Sequence, residues 1–137
     1  MYKEEALDML KKSGYKVTKP REWIVEALEG NTSHPSAMEI FDQLRKNDKS
    51  FSFATVYNTL DTLVKAGVVK QVTVDPQCSR YDPDMSSHGH FYCRKCGSVK
   101  DVFDVSLDMG STSLQDEVEG YELNLFGVCR ECSTEAN

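Results

Sequence analysis

The 137-residue chain lacks any long hydrophobic run. No stretch approaches the roughly 20 apolar residues that a membrane helix needs, and the N-terminal MYKEEALDML has no apolar core of the kind a secretory leader carries. The expectation is a cytoplasmic protein with no membrane contact. Internal repeats and low-complexity tracts are missing too, which leaves a globular chain of one domain or two small ones. Positive charge is in short supply: 16 Lys+Arg stand against 22 Asp+Glu, a net charge of −6. The deficit is local. From Met1 to Asp82 there are 12 basic against 12 acidic residues, and from Pro83 to Asn137 there are 4 against 10. A polyanion would therefore have to be met by the first part through a local basic patch, against the charge of the whole molecule.

Cysteine is present in small number but ordered. Four of the five form two Cys-x-x-Cys pairs, Cys93/Cys96 and Cys129/Cys132. A two-residue gap lets both thiolates of a pair reach one ion, and two such pairs supply the four soft ligands of a closed structural zinc site. Two disulfides are the competing reading, suited to a small secreted protein. The fifth, Cys78, lies in the polar turn DPQCSR and reads as an incidental thiol. A polar run headed by proline, 83–87, reads as a linker between a first domain, 1–82, and a second, 88–137. About 50 residues bury too little to be comfortable alone, and zinc would supply the missing stability.

The first part reads as helices followed by a ribbon. Ala6, Leu7, Met9 and Leu10 mark a short amphipathic helix ending near Gly14. Thr18 caps a second, with Pro20 in its first turn and Trp23, Ile24, Ala27 and Leu28 inward. Ser36-Ala37-Met38-Glu39 is a capping box opening a third, which turns Ile40, Phe41 and Leu44 inward. A fourth runs from Ser52 to Gly67 with Phe53, Val56, Leu60, Leu63 and Val64 on its buried side. The period then falls to two through Val68, Val69, Val72 and Val74, and after a turn at Asp75-Pro76 a second strand follows at Arg80-Tyr81-Asp82.

That order predicts a winged helix-turn-helix in an α+β chain. The outward face of the fourth helix, Ala54, Thr55, Asn58 and Thr62 with Tyr57 at its margin, is small and polar, as an element that approaches base edges must be. Lys16, Lys19, Arg21, Lys49, Lys65 and Lys70 are candidate phosphate contacts. A solvated helix face with no DNA role is the plainer alternative.

Histidine is scarcer still, with three in the chain. His88 and His90, two apart on a predicted strand, share a face. The first Cys-x-x-Cys turn reverses the chain so that Asp101 returns near His90. His34 lies between the second and third helices, and Asp82 ends the ribbon. His34, Asp82, His88, His90 and Asp101 form a nitrogen and oxygen set suited to Fe(II) or Mn(II), and also to Zn(II) or Ni(II). For any one histidine, His34 above all, a satisfied core or surface role is the simpler reading.

Thr18-Lys-Pro-Arg21, His34-Pro-Ser-Ala37, Ala54-Thr-Val-Tyr-Asn58, Arg80-Tyr-Asp82, His88-Gly-His-Phe-Tyr-Cys93-Arg-Lys-Cys96-Gly97 and Gly127-Val-Cys-Arg-Glu-Cys132 occur in the order of the ferric uptake regulator family, which the chain resembles along essentially its whole length. Within the family it is most similar to the peroxide-sensing repressors. Asp101 stands where iron sensors usually have glutamate, and Asn58 where they usually have arginine.

The resemblance implies a homodimer on a palindromic double-stranded operator. Its second domains would pair through strands near 99–105 and 122–128, with a helix near 113–119 between them. It also implies Fe(II) or Mn(II) on the five histidine and aspartate ligands, and release from DNA when iron and hydrogen peroxide oxidise His34 or His88. Peroxide would be a signal rather than the substrate of an enzyme. The segment 120–127 is shorter than its usual counterpart and lacks a histidine often used there for a further metal. Three rivals stand beside this reading: a repressor sensing iron, zinc or nickel; a metallohydrolase or oxygenase, for which no nucleophile, base or pocket is evident; and a zinc-stapled interaction module.

Overall fold

The computed structural model describes residues 2–49, 51–86, 88–108, 110 and 113–134. Ser87 of the predicted linker and the last three residues lie outside them. The chain divides into two compact units, Met1–Met85 and Ser86–Asn137, so Pro83, Asp84 and Met85 group with the first.

In the first unit, α1 (Tyr2–Lys12), α2 (Lys19–Leu28), α3 (Ala37–Lys46) and α4 (Phe53–Lys65) precede an antiparallel ribbon of β1 (Lys70–Val72) and β2 (Arg80–Asp82). Local chemistry sets the helix starts. The Thr18 hydroxyl accepts from Arg21 N, Ser36 and Glu39 form a reciprocal capping box, and the Ser52 hydroxyl accepts from Thr55 N. Leu10, Ile24, Leu28, Ile40, Val56, Leu60 and Leu63 meet in one core, with Val69 and Tyr81 of the ribbon side closing it. This is the winged helix expected.

Some positions differ from the periodic reading. Met9 and Phe53 are exposed, at 46% and 38%, while Val25, assigned no role from periodicity, is fully buried. Phe53 is the first residue of α4, where it meets the Phe41 ring edge-on, with centroids 5.9 Å apart, and lies 6.4 Å from the Tyr57 ring.

In the second unit, β3 (Gly89–Cys93) is central, with β4 (Val99–Val102) antiparallel on one side and β5 (Asn124–Gly127) parallel on the other; α5 (Arg130–Thr134) follows. Gly89 permits that parallel approach, because a Cβ there would come within 3.2 Å of the Leu123 carbonyl oxygen. The helix expected near 113–119 does not form: residues 113–123 carry no helix or strand. Leu114 and Val118 are both about half exposed, so a helix here would bury little apolar surface, and packing of an apolar face is what holds so short a helix together. No described helix is long and apolar enough to cross a membrane.

Candidate metal centre

The sheet of the second unit assembles the four thiols. Cys93 ends β3, and the chain reverses through Cys96 and Gly97, whose φ of +76° is open to glycine at no steric cost, before returning as β4. Parallel pairing sets Cys93 opposite Gly127, so the second pair, just beyond β5, arrives beside the first. The four ligand atoms lie within 4.8 Å of one another.

Cys96 Sγ and Cys129 Sγ are 3.8 Å apart, far beyond the ~2.0 Å of a disulfide. That separation matches the edge of a tetrahedron with Zn–S bonds of about 2.3 Å, which is roughly 3.8 Å. All five cysteines are free thiols. Backbone N–H groups of Cys129 and Cys96 point at Cys93 Sγ from 3.3 and 3.5 Å, and these donors lower its thiol to about 6. The donor set thus fits zinc, and the disulfide alternative falls.

Among the described residues, histidines meet carboxylates within each unit. In the first, His34 Nε2 lies 3.5 Å from Asp82 Oδ2, with both residues buried. His34 adopts a left-handed backbone, φ +54°, in the loop that leads to α3. That loop is tied to β2: Tyr81 N donates to Pro35 O over 2.9 Å, and Arg80 Nη1 donates to His34 O over 3.2 Å. Arg80 is itself held by Asp75, with its Nε and Nη2 at 3.0 and 2.9 Å from Oδ2.

In the second unit, cross-strand register pairs His90 with Asp101. Asp101 Oδ1 lies 3.0 Å from His88 Nε2 and 3.4 Å from His90 Nε2. Ser86 O is 2.7 Å from His88 Nδ1. A carbonyl only accepts, so Nδ1 carries the proton, and in the neutral ring the Nε2 lone pair is aimed at a carboxylate. Two acceptors facing each other at 3.0 Å call for a proton or a cation between them, and the donor set suits a divalent ion of the Fe(II) or Mn(II) kind. Phe103 stacks on the His88 ring at 5.0 Å, a contact that no sequence pattern announced.

On α4, Ala54, Tyr57 and Asn58 are exposed, while Thr55 is half covered and its hydroxyl lies 2.9 Å from that of Ser52. Lys16 and Lys19 are exposed. Arg21 donates to Lys16 O over 2.7 Å and lies over the Tyr15 ring. Lys49 and Lys65 are engaged instead, Lys49 with Glu26 and the Trp23 ring, and Lys65 with Asp61.

Sequence reasoning passed over Arg80 and Asp75 as site residues. The available signal was the spacing of Arg80 and Asp82, which puts both on one face of a strand.

A winged helix, a tetrathiolate cluster and buried histidine and carboxylate clusters together define a metal-dependent DNA-binding regulator. The model of the ferric uptake regulator family matches residues 12–125, and the chain belongs to that family. It is 34% identical over 138 residues to the peroxide-responsive repressor PerR of Staphylococcus epidermidis, covering 98% of this chain and 92% of that protein. It is 35% identical over 138 residues to the peroxide operon regulator of Bacillus subtilis, covering 98% and 95%. Among solved structures, the ferric uptake regulator Fur of Helicobacter pylori, described as having three functional metal binding sites, superposes with a TM-score of 0.76 at 26% identity, covering 96% of this chain and 93% of that one.

Proposed function

We propose that the protein is a cytoplasmic repressor that binds a palindromic operator as a homodimer and leaves it in response to hydrogen peroxide. The observation that carries this reading is the pair of histidine and carboxylate clusters, His34 with Asp82 and His88 with His90 and Asp101, one in each unit. The five side chains together hold one Fe(II) or Mn(II), and the four cysteines hold a structural zinc. Ligands drawn from both units favour, by differential affinity, the arrangement in which all five reach the ion. Shifting such an equilibrium from mostly open to mostly closed takes about 5.5 kcal/mol, within reach of several charged ligands on a divalent cation.

Asn58, Thr55, Ala54 and Tyr57 read the operator, and Lys16, Lys19 and Arg21 contact phosphates. Held by these ligands, Fe(II) would supply the electrons that activate peroxide, which Mn(II) would not. His34 or His88 would gain one oxygen atom as the O–O bond of peroxide breaks, with water as the other product, cease to be a ligand, and release the two units from the DNA-binding arrangement. Each molecule senses once, without turnover.

Intact mass of iron-loaded and manganese-loaded protein after brief peroxide exposure tests this. One added oxygen, mapped to His34 or His88 in the iron form alone, is expected. An unmodified iron form that keeps its operator would establish the second reading, a repressor that senses the metal itself, which the likeness to the Helicobacter iron regulator favours.

A further inference from the structure

Within the site just proposed, and resting on that proposal, one residue has a role that ligand chemistry alone does not assign. We infer that Arg80 is the positioning residue of the regulatory site: its guanidinium, held by the Asp75 carboxylate, grips the His34 backbone and fixes that imidazole opposite Asp82.

Tyr81 points into the core at 3% exposure, so Arg80 and Asp82 share the opposite face of β2. The loop carrying His34 lies along β2, joined to it by Tyr81 N donating to Pro35 O over 2.9 Å. Arg80 reaches from its own position on the strand to the loop, with Nη1 3.2 Å from His34 O. The fork is held at its other side, where Nε and Nη2 both meet Asp75 Oδ2, and the two side chains are only 17% and 6% exposed.

The grip falls on a peptide that needs one. His34 has φ +54°, a conformation disfavoured for any residue with a Cβ. The planar fork gives two N–H groups to the carboxylate and a third to the carbonyl in one fixed geometry, whereas an ammonium is a point charge whose donors rotate freely and impose no such orientation. With the guanidinium gone, the peptide can relax toward the right-handed region and turn the imidazole away from Asp82, 3.5 Å distant in this arrangement. The same guanidinium links the ligand to the turn of the wing, because Asp75 lies between β1 and β2 and also accepts from Gln77 N over 2.9 Å.

Mn(II) titration of the zinc-loaded full chain tests this, comparing wild type, R80A, R80K and H34A below the melting temperature of each. R80A should bind Mn(II) roughly 10- to 100-fold more weakly, the usual effect of removing a residue that orients a ligand, and the electron paramagnetic resonance signal of its bound Mn(II) should differ from wild type. R80K should lie nearer R80A than wild type, and it gives the same readout if R80A does not fold. At saturating Mn(II), operator binding by both variants should return. Wild-type Mn(II) affinity and signal in R80A or R80K, with H34A weakened, would overturn the positioning role and leave the proposed function standing. Unchanged affinity in H34A as well would remove the regulatory site and this inference together. Operator binding still lost at saturating Mn(II) would assign Arg80 to the DNA contact instead.

Discussion

Replacing Cys93 by serine should unfold the second unit and spare the first. Among the described residues after Met85, the buried apolar side chains are Tyr92, Cys93 and Cys129, whereas Phe103, Leu107, Leu114, Tyr121 and Phe126 are all half exposed or more. A unit of about 50 residues would ordinarily be stable by roughly 3–8 kcal/mol, at 0.05–0.15 kcal/mol per residue. A structural zinc site contributes about 10–16 kcal/mol of apparent folding free energy. The metal term is thus larger than the whole stability expected of the unit, and losing the most buried of its four thiolates should remove the fold. The first unit has its own core of Ile24, Leu28, Ile40, Val56, Leu60 and Leu63, to which none of the four zinc-site cysteines belongs.

Hydrogen exchange read by mass spectrometry separates the two outcomes in one sample. Amides of β3, β4 and β5 should exchange at the rate of an unfolded chain in C93S, and those of α2 and α4 should stay protected. Protection of β3 and β5 that survives C93S and full zinc loss would refute the reasoning, since it would mean that the sheet holds itself.

Two further outcomes follow from the turn of the wing. Burial pushes the Asp75 carboxyl up, but the Gln77 N–H and the Arg80 guanidinium outweigh it and hold the group below the ordinary carboxylate range. Its contribution to stability is therefore complete above the unfolded value of about 3.9 and is lost as pH falls through the lower folded value; urea melts of wild type and D75N should differ at neutral pH and converge in acid. Cys78 is exposed, but desolvation and the neighbouring Asp75 carboxylate raise its thiol, leaving little reactive thiolate at neutral pH. C78A should keep the peroxide response of wild type in an operator-release assay, and a lost response would make Cys78 part of the sensor.

Signals that act over a few residues were readable from the chain. Thr18, Ser36 and Ser52 cap helices because a hydroxyl reaches a backbone N–H three residues on, and that geometry needs no partner from elsewhere. The gap in each Cys-x-x-Cys pair is local in the same way. The helix near 113–119 is expected from the family resemblance alone, and residues 113–119 form none: Leu114 and Val118, four apart, stay about half exposed, so a helical face there would bury little. Phe53 shows the converse: its spacing matches the buried stripe of α4, and its place in the first turn leaves it exposed.

By itself the sequence determined the helix starts, the two-fold period of the ribbon, the thiol pairs and the donor types available to a metal, since each depends on neighbours a few bonds away. Tertiary structure decided the rest. The parallel pairing of β3 with β5 brings Cys129 to Cys93, and the packing of the α3 entry loop on β2 brings His34 to Asp82 and puts its backbone under the guanidinium of Arg80. Those partners are tens of residues apart, and only the shared core and the sheet register bring them within reach of one another.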